Sequence, residues 1–324
     1  SASFRNRLAY KLLSNCVKKI IWPDIFIFNS IYHFFIYLLK YRKTEDILLT
    51  ISNPVSVHFI GIFSRIFFSK KALWIADIGD AMVKSYEPSW WNYLSLKMEE
   101  WVINHADHII FNSEFLANYY DTKFPGLKTK SKVISNGPYL DFKDMKSVFS
   151  SQVVFSYFGN TYLPVRPAKR EIEIIDRVQN MIQNEDLNSI FNIIGVHYEE
   201  LVDFTRGISG IKIFPQQIGE ELVMAYRRTN ILVSFANVNY DVVPSKLEEY
   251  CSTGLPIICF CNDMEDASVR YLGNYPTKFI FQIGISKEED LQNFVIMHRF
   301  DGIQGNTLIH DSHRLRWQKY LDEL

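Results

Sequence analysis

The densest cluster of chemically useful residues lies at positions 243–258, VPSKLEEYCSTGLPII. A Pro244-Ser245 turn opens a helix there, Gly254 ends it, and Pro256 follows just beyond. Exposed N–H groups at such a helix start bind phosphate, and Lys246 adds a positive charge. Glu249, one turn in, offers a carboxylate able to accept two hydroxyls of a ribose. The same residues also read as a well-capped helix carrying a surface acid. The four cysteines, Cys16, Cys251, Cys259 and Cys261, form no C-x-x-C pair. They read as buried reduced thiols, which suits a cytosolic compartment, rather than as zinc ligands.

The elements that must position these residues alternate. Short apolar runs at 46–51 (DILLTI), 72–76 (ALWIA), 108–112 (HIIFN) and 132–135 (KVIS) read as buried parallel strands. Helical patterns lie between them, around 58–68, 91–104 and 113–120, where Ser113-Glu114 caps a helix. The pattern loosens at 138–149, an expected interdomain linker preceded by an Asn136-Gly137 turn. A second series follows: strands at 153–158, 191–194, 211–214, 231–234, 256–260 and 278–282. Its helices are expected over 167–183, 219–228, 245–252, 287–297 and 313–324. Two α/β series predict two Rossmann-like domains facing a cleft, with ligands at the carboxyl ends of the strands. The expected bounds are 1–148 for the first domain and 149–308 for the second. A final helix, 309–324, is expected to pack back on the first domain.

Composition narrows the function. Of 324 residues, 48% are apolar and 22% charged, which excludes disorder for the bulk of the chain. With 35 Lys+Arg against 36 Asp+Glu, the chain lacks the field of a dedicated nucleic-acid binder. Aromatic residues, at 15%, fit a large core and contact with apolar or sugar ligands. No secretory signal opens the sequence, and polar residues interrupt its most apolar stretch, 20–39, too often for a spanning helix. Segment 5–21 instead sets Leu8, Leu12, Leu13, Cys16, Val17, Ile20 and Ile21 at helical spacing among basic residues. It reads as a helix lying peripherally on an anionic bilayer, or as an ordinary surface helix of the fold.

Segment 243–258 resembles the donor-site signature P-S-K-L-x-E-Y of retaining GT-B glycosyltransferases of the glycosyltransferase family 4 type. The family carries an E-x7-E pair of acids. Here Glu249 matches the second acid and Asp241 stands where the first would be, one methylene shorter. The resemblance implies that Asp241 sits near the donor sugar and Glu249 on the ribose, with Ser245 and Lys246 in the donor site. The family also places Gly-Arg after the first strand of the second domain, and a Lys a few residues on. This chain has Gly159, then Asn160 in place of the Arg, then Arg166, Lys169 and Arg170. By resemblance Arg166 takes the Lys role on the donor diphosphate, with Lys169 or Lys246 replacing the lost cation.

The first series is similar to bacterial sugar transferases that read S-x-P-x-S-x-H-x-x-G, then W-I-A-D-F-R-D, then E-x6-A-D-x-I-I-x-x-S-E. The matches are Ser52 to Gly61, Trp74 to Asp80 with Gly79 for the usual Arg, and Glu99 to Glu114. Asp77 and Asp80 close a strand, where one carboxylate binds or deprotonates an acceptor hydroxyl, or both cap the turn. His58 contacts the sugar or acceptor, or caps a helix or fills the core. No D-x-D motif supports a metal. The resemblance implies a metal-independent, retaining transferase without further cofactor. Its nucleotide-diphosphate sugar would be transferred to a saccharide or lipid-linked saccharide acceptor at the inner membrane face. Alternatives are a nucleotide-sugar epimerase or hydrolase on the same fold, or a non-catalytic partner subunit, favoured by Asn160 and Gly79. The family's opening strand and Gly-rich loop have no match before Asp46, so the first domain is expected to be shortened.

Overall fold

The computed structural model describes residues 27–40, 47–52, 55–68, 72–83, 89–135, 137–138, 140–163, 165–185, 187–237, 243–304 and 313–324. Segment 5–21 and Asp241 lie outside the described residues. The chain divides into two compact units, Ser1–Ser135 and Asn136–Leu324.

In the first unit the order is α1 (Ile27–Lys40), β1 (Ile47–Ile51), α2 (His58–Phe68), β2 (Leu73–Ile78), α3 (Ser89–His105), β3 (His108–Phe111), α4 (Glu114–Lys123) and β4 (Ser131–Val133). The four strands pair in parallel in the order β1-β2-β3-β4. Their core gathers Trp74, Ile78, Met98, Val102, Phe111 and Tyr120. Each such side chain contributes about 1.5–3 kcal/mol by leaving water. Ser113 caps α4 as its sequence position suggests, accepting from the Leu116 N–H at 3.2 Å. Among the described residues no helix is long and apolar enough to cross a membrane.

In the second unit the order is β5 (Val153–Phe158), α5 (Lys169–Gln183), β6 (Ser189–Ile194), α6 (Glu199–Thr205), β7 (Ile211–Phe214), α7 (Gly219–Arg227), β8 (Ile231–Phe235), α8 (Lys246–Thr253), β9 (Ile257–Cys261), α9 (Ala267–Tyr271), β10 (Lys278–Gln282), α10 (Glu288–His298) and α11 (His313–Glu323). Six parallel strands run β7-β6-β5-β8-β9-β10. The chain starts in the middle of the sheet at β5, walks out to β7, and returns to β8 on the other side of β5. The strands β5, β8 and β9 are buried along their whole length, as central strands covered on both faces must be. That is why VVFSYF, ILVSF and IICFC read as unbroken apolar runs.

Residues 138–149 have the polar composition of a linker, yet they pack on the second unit. Phe142 is buried edge-on against Tyr226 (centroids 5.1 Å, 72°), and the Val148 N–H donates to the Arg227 carbonyl at 2.7 Å. Cys251, Cys259 and Cys261 are free and buried. Burial pushes the Cys251 thiol up to about 12 and the Cys261 thiol up to about 11, so neither is a nucleophile at neutral pH.

Candidate functional site

The point between β5 and β8, where the strand order reverses, is where an open parallel sheet leaves a crevice at its carboxyl ends. The loops leaving those two strands meet there through Arg166. Its Nη1 donates to the Tyr157 hydroxyl at 3.0 Å and to the Asn160 carbonyl at 3.3 Å. Its Nη2 donates to the Asn237 side-chain oxygen, from the loop after β8. A two-residue antiparallel bridge, Tyr162 with Arg166, folds the β5–α5 loop back so that the guanidinium returns to the strand end. Tyr157 keeps its proton, because burial raises its pKa against the pull of Arg166.

The Gly159-Asn160 pair serves this loop in a structural way. The Asn160 side-chain oxygen accepts from the Val196 N–H at 2.8 Å, joining the β5 loop to the β6 loop. Gly195 closes the same contact with φ +150°, and a Cβ there would lie 2.1 Å from the Gly159 carbonyl oxygen, so no other residue fits. Lys169, at the first position of α5, lies 3.6 Å from the Glu200 carboxylate and over the Phe204 ring. Ala168 just before it holds a left-handed φ of 58° while fully buried, a strained backbone at the mouth of the crevice.

Helix α8 is brought to the same strand end by Tyr250. Its hydroxyl accepts from the Phe158 N–H at 2.6 Å and donates to the Phe158 carbonyl at 3.1 Å, one residue before Gly159. The neighbouring Glu249 is buried, with Tyr226 donating to Oε1 at 2.6 Å and Lys246 donating to Oε1 and Oε2 at 3.0 and 2.9 Å. Ser245 stands at the helix start in helical backbone geometry. It is exposed, and its side chain makes no capping bond. Gly254 ends the helix with φ 74°, in the left-handed conformation.

The first unit holds its candidates differently. The Trp74 indole N–H donates to the Thr50 hydroxyl at 2.9 Å, which in turn shares a hydrogen bond of 2.8 Å with His58 Nδ1. His58 is fully buried, and burial lowers its pKa to about 3, so the imidazole is neutral. Its Nε2 has no partner among the described residues. Asp77 is at the carboxyl end of β2, and burial pushes its carboxyl up to about 6. Gly79, two residues on, donates its N–H to Ser52 Oγ at 2.8 Å, and its carbonyl accepts from Asn112 Nδ2 at 2.6 Å. Two other acids of the resembling motifs are structural. Glu99 is buried under Tyr120 (2.5 Å) and pairs with Lys123, while Asp107 accepts from the Trp74 N–H at 2.7 Å and pairs with Arg65.

Sequence reasoning missed Tyr157, Tyr226, Asn237, Glu248 and Tyr250. Glu248, beside Glu249, accepts from the Gly137 N–H at 3.1 Å and from Arg316 of α11 at 2.7 Å. It also missed His197 after β6, whose Nδ1 pairs with the Thr161 hydroxyl at 2.9 Å and which burial keeps neutral. Apart from Tyr157, which meets Asn160 and Arg166 nearby, their partners stand far away in the chain, where spacing carries no signal. Among the described residues no group of three or more His, Cys, Asp or Glu could hold a metal ion.

No protein-family model matches the chain, and a search among curated proteins finds no relative. Solved structures do align over most of its length. Sucrose-phosphate synthase from Thermosynechococcus elongatus aligns at 13% identity over 92% of this chain and 75% of that chain, with a TM-score of 0.61. TarM of S. aureus aligns at 13% identity over 89% of this chain, with a TM-score of 0.61; this chain spans only 57% of TarM. The lipopolysaccharide outer core galactosyltransferase WaaB, in its apo form, aligns at 13% identity over 93% of this chain and 82% of that chain, with a TM-score of 0.56. At these identities the likeness is one of architecture: this chain has the GT-B type of α/β fold, with parallel sheets of four and six strands.

Proposed function

We propose that the chain is a metal-independent, retaining glycosyltransferase of the family 4 type. It moves a sugar from a nucleotide-diphosphate sugar to a saccharide or lipid-linked saccharide. The observation that carries this reading is the meeting of Arg166 and the Glu249 helix at one strand-order reversal, through the Tyr250 contact with Phe158. A cation and a diol-binding carboxylate at one crevice suit the two ends of a ribose diphosphate. Solved glycosyltransferases of similar fold support sugar transfer.

In this reading Arg166 offsets the charge that grows on the leaving diphosphate, and Glu249 holds the ribose. Asp241 stands by the donor sugar. Ser245, Lys246 and the backbone N–H groups opening α8 face the phosphates, with Gly159, Asn160 and Lys169 shaping that edge. The leaving diphosphate takes the acceptor's proton, as in the family. Asp77, with its raised pKa, and His58 act on the acceptor or sugar. The reading includes a cytoplasmic location, with segment 5–21 resting on the membrane face. A non-catalytic partner subunit is the second reading, because Asn160 replaces a cation and its side-chain oxygen is already engaged.

The test is a thermal-shift panel of UDP-, GDP-, ADP-, CMP- and dTDP-sugars without added metal, followed by transfer assays with the stabilising donor. One donor should raise the melting temperature by mass action and then be consumed only with an acceptor. A flat panel contradicts the reading, and binding without transfer to any acceptor favours the partner subunit. Turnover of donor alone would point to an epimerase or hydrolase.

A further inference from the structure

Glu249 is an odd carboxylate to offer a ligand, because it is already occupied. Three hydrogen bonds reach it from two partners of different kinds. Tyr226 is fully buried, stacked on Phe158 (centroids 3.9 Å, 14°) and edge-on to Phe142. Burial and the Glu249 charge hold the Tyr226 proton far above its usual range, so this donor is fixed. Lys246 is the first residue of α8, and its side chain is 37% exposed against 4% for that of Glu249. Its ammonium sits on a flexible four-carbon stem, partly in water and able to swing away. A carboxylate has about four lone-pair sites. Tyr226 takes one and the ammonium spans both oxygens. A diol therefore cannot bridge Oε1 and Oε2 while the ammonium stands there.

We propose that Lys246 is a specificity-determining residue: an internal counter-ion on Glu249 that yields to a nucleoside diphosphate but not to a nucleoside. This inference rests on the reading of Glu249 as the diol acceptor. A neutral diol that displaces the ammonium replaces charge-assisted bonds with weaker ones and leaves the lysine without a partner. A diphosphate on the same ribose offers the ammonium a new anion. One ion pair breaks, another forms, and the Glu249 carboxylate keeps hydrogen bonds from Tyr226 and the diol. Tyr226 keeps Oε1 in place throughout, so the carboxylate does not have to be ordered again when the ligand arrives.

The experiment is titration calorimetry on the full chain. UDP, GDP, ADP and CDP are each paired with their nucleoside, and the pair scored is the one whose diphosphate binds the wild type most tightly. Lys246→Met should weaken the diphosphate about tenfold and tighten the nucleoside about tenfold, two effects of opposite sign. Lys246→Gln should move both in the same directions by less, and it carries the test if circular dichroism shows the Met variant unfolded. Weakening of both ligands, or an unchanged nucleoside, overturns the inference. Glu249→Ala separates it from the reading beneath. Diphosphate affinity indifferent to Glu249→Ala, or no diphosphate binding to the wild type, sinks both. A Glu249-dependent site with same-sign Lys246 effects sinks this inference alone.

Discussion

In the second unit, the charged groups near the strand ends are engaged by direct side-chain partners. Arg166 leans on Tyr157 and Asn237, and Glu249 is held by Tyr226 and Lys246. In the first unit, Asp77 and His58 are perturbed by loss of water rather than by a neighbouring charge. One arrangement is pre-organised for a charged ligand. The other brings a carboxyl group close to neutrality, as proton chemistry needs, at the expense of stability.

The pH dependence of stability breaks this comparison open. Unfolded His58 takes up a proton near 6.5, whereas in the folded chain it resists protonation until about 3. Stability is therefore lost as pH falls through that window, by about 1.4 kcal/mol per unit. Asp77 works the other way. Its unfolded carboxyl ionises near 3.8 and its folded one near 6, so stability is lost as pH rises between them. From 3.8 to 6 the two slopes oppose. The largest expected effect is that of His58→Gln, which removes the His58 slope and so turns the profile toward stability falling as pH rises across that range. Urea unfolding followed by tryptophan fluorescence reads it, since Trp74, Trp90, Trp91 and Trp101 all belong to the first unit. A profile parallel to the wild type would count against the burial of His58.

Asp77→Asn comes next. It should stabilise the chain at pH 7 by about 3 kcal/mol, because the desolvated charge is gone, and it should slow transfer. A less stable variant would mean that Asp77 is held by favourable partners after all. The smallest effect is expected of Gly79→Arg, which restores the residue common in similar transferases. A Cβ at Gly79 meets nothing nearer than Asn112 Nδ2 at 3.8 Å. The change should move stability by no more than about 0.5 kcal/mol. A strong loss would show that the turn needs glycine.

Much of the fold was legible because central parallel strands bury both faces and so leave unbroken apolar runs, as VVFSYF and IICFC do. The short helices α6 (Glu199–Thr205) and α9 (Ala267–Tyr271) were not, since two turns or fewer give no periodicity to read. The site was half legible. Segment 243–258 announces a helix start with a carboxylate one turn in, and Arg166 follows a strand end. What holds them is not local: Tyr250 meets Phe158 across 92 residues, Arg166 meets Asn237 across 71, and Gly137 meets Glu248 across 111. The motif acids Glu99 and Asp107 show the converse. Their spacing matches transferases, yet their partners Tyr120, Lys123, Arg65 and the Trp74 N–H make them supports of the first sheet.

The central claim is that an anionic nucleotide docks where β5 and β8 part, on Arg166. Calorimetry of the best nucleotide sugar from the panel against the wild type and Arg166→Ala tests it most directly, with the unliganded melting temperature as the check on folding. The expected result is a loss of about 2 kcal/mol, roughly thirtyfold in affinity, in a variant that still folds. Equal affinity for the two proteins would contradict it.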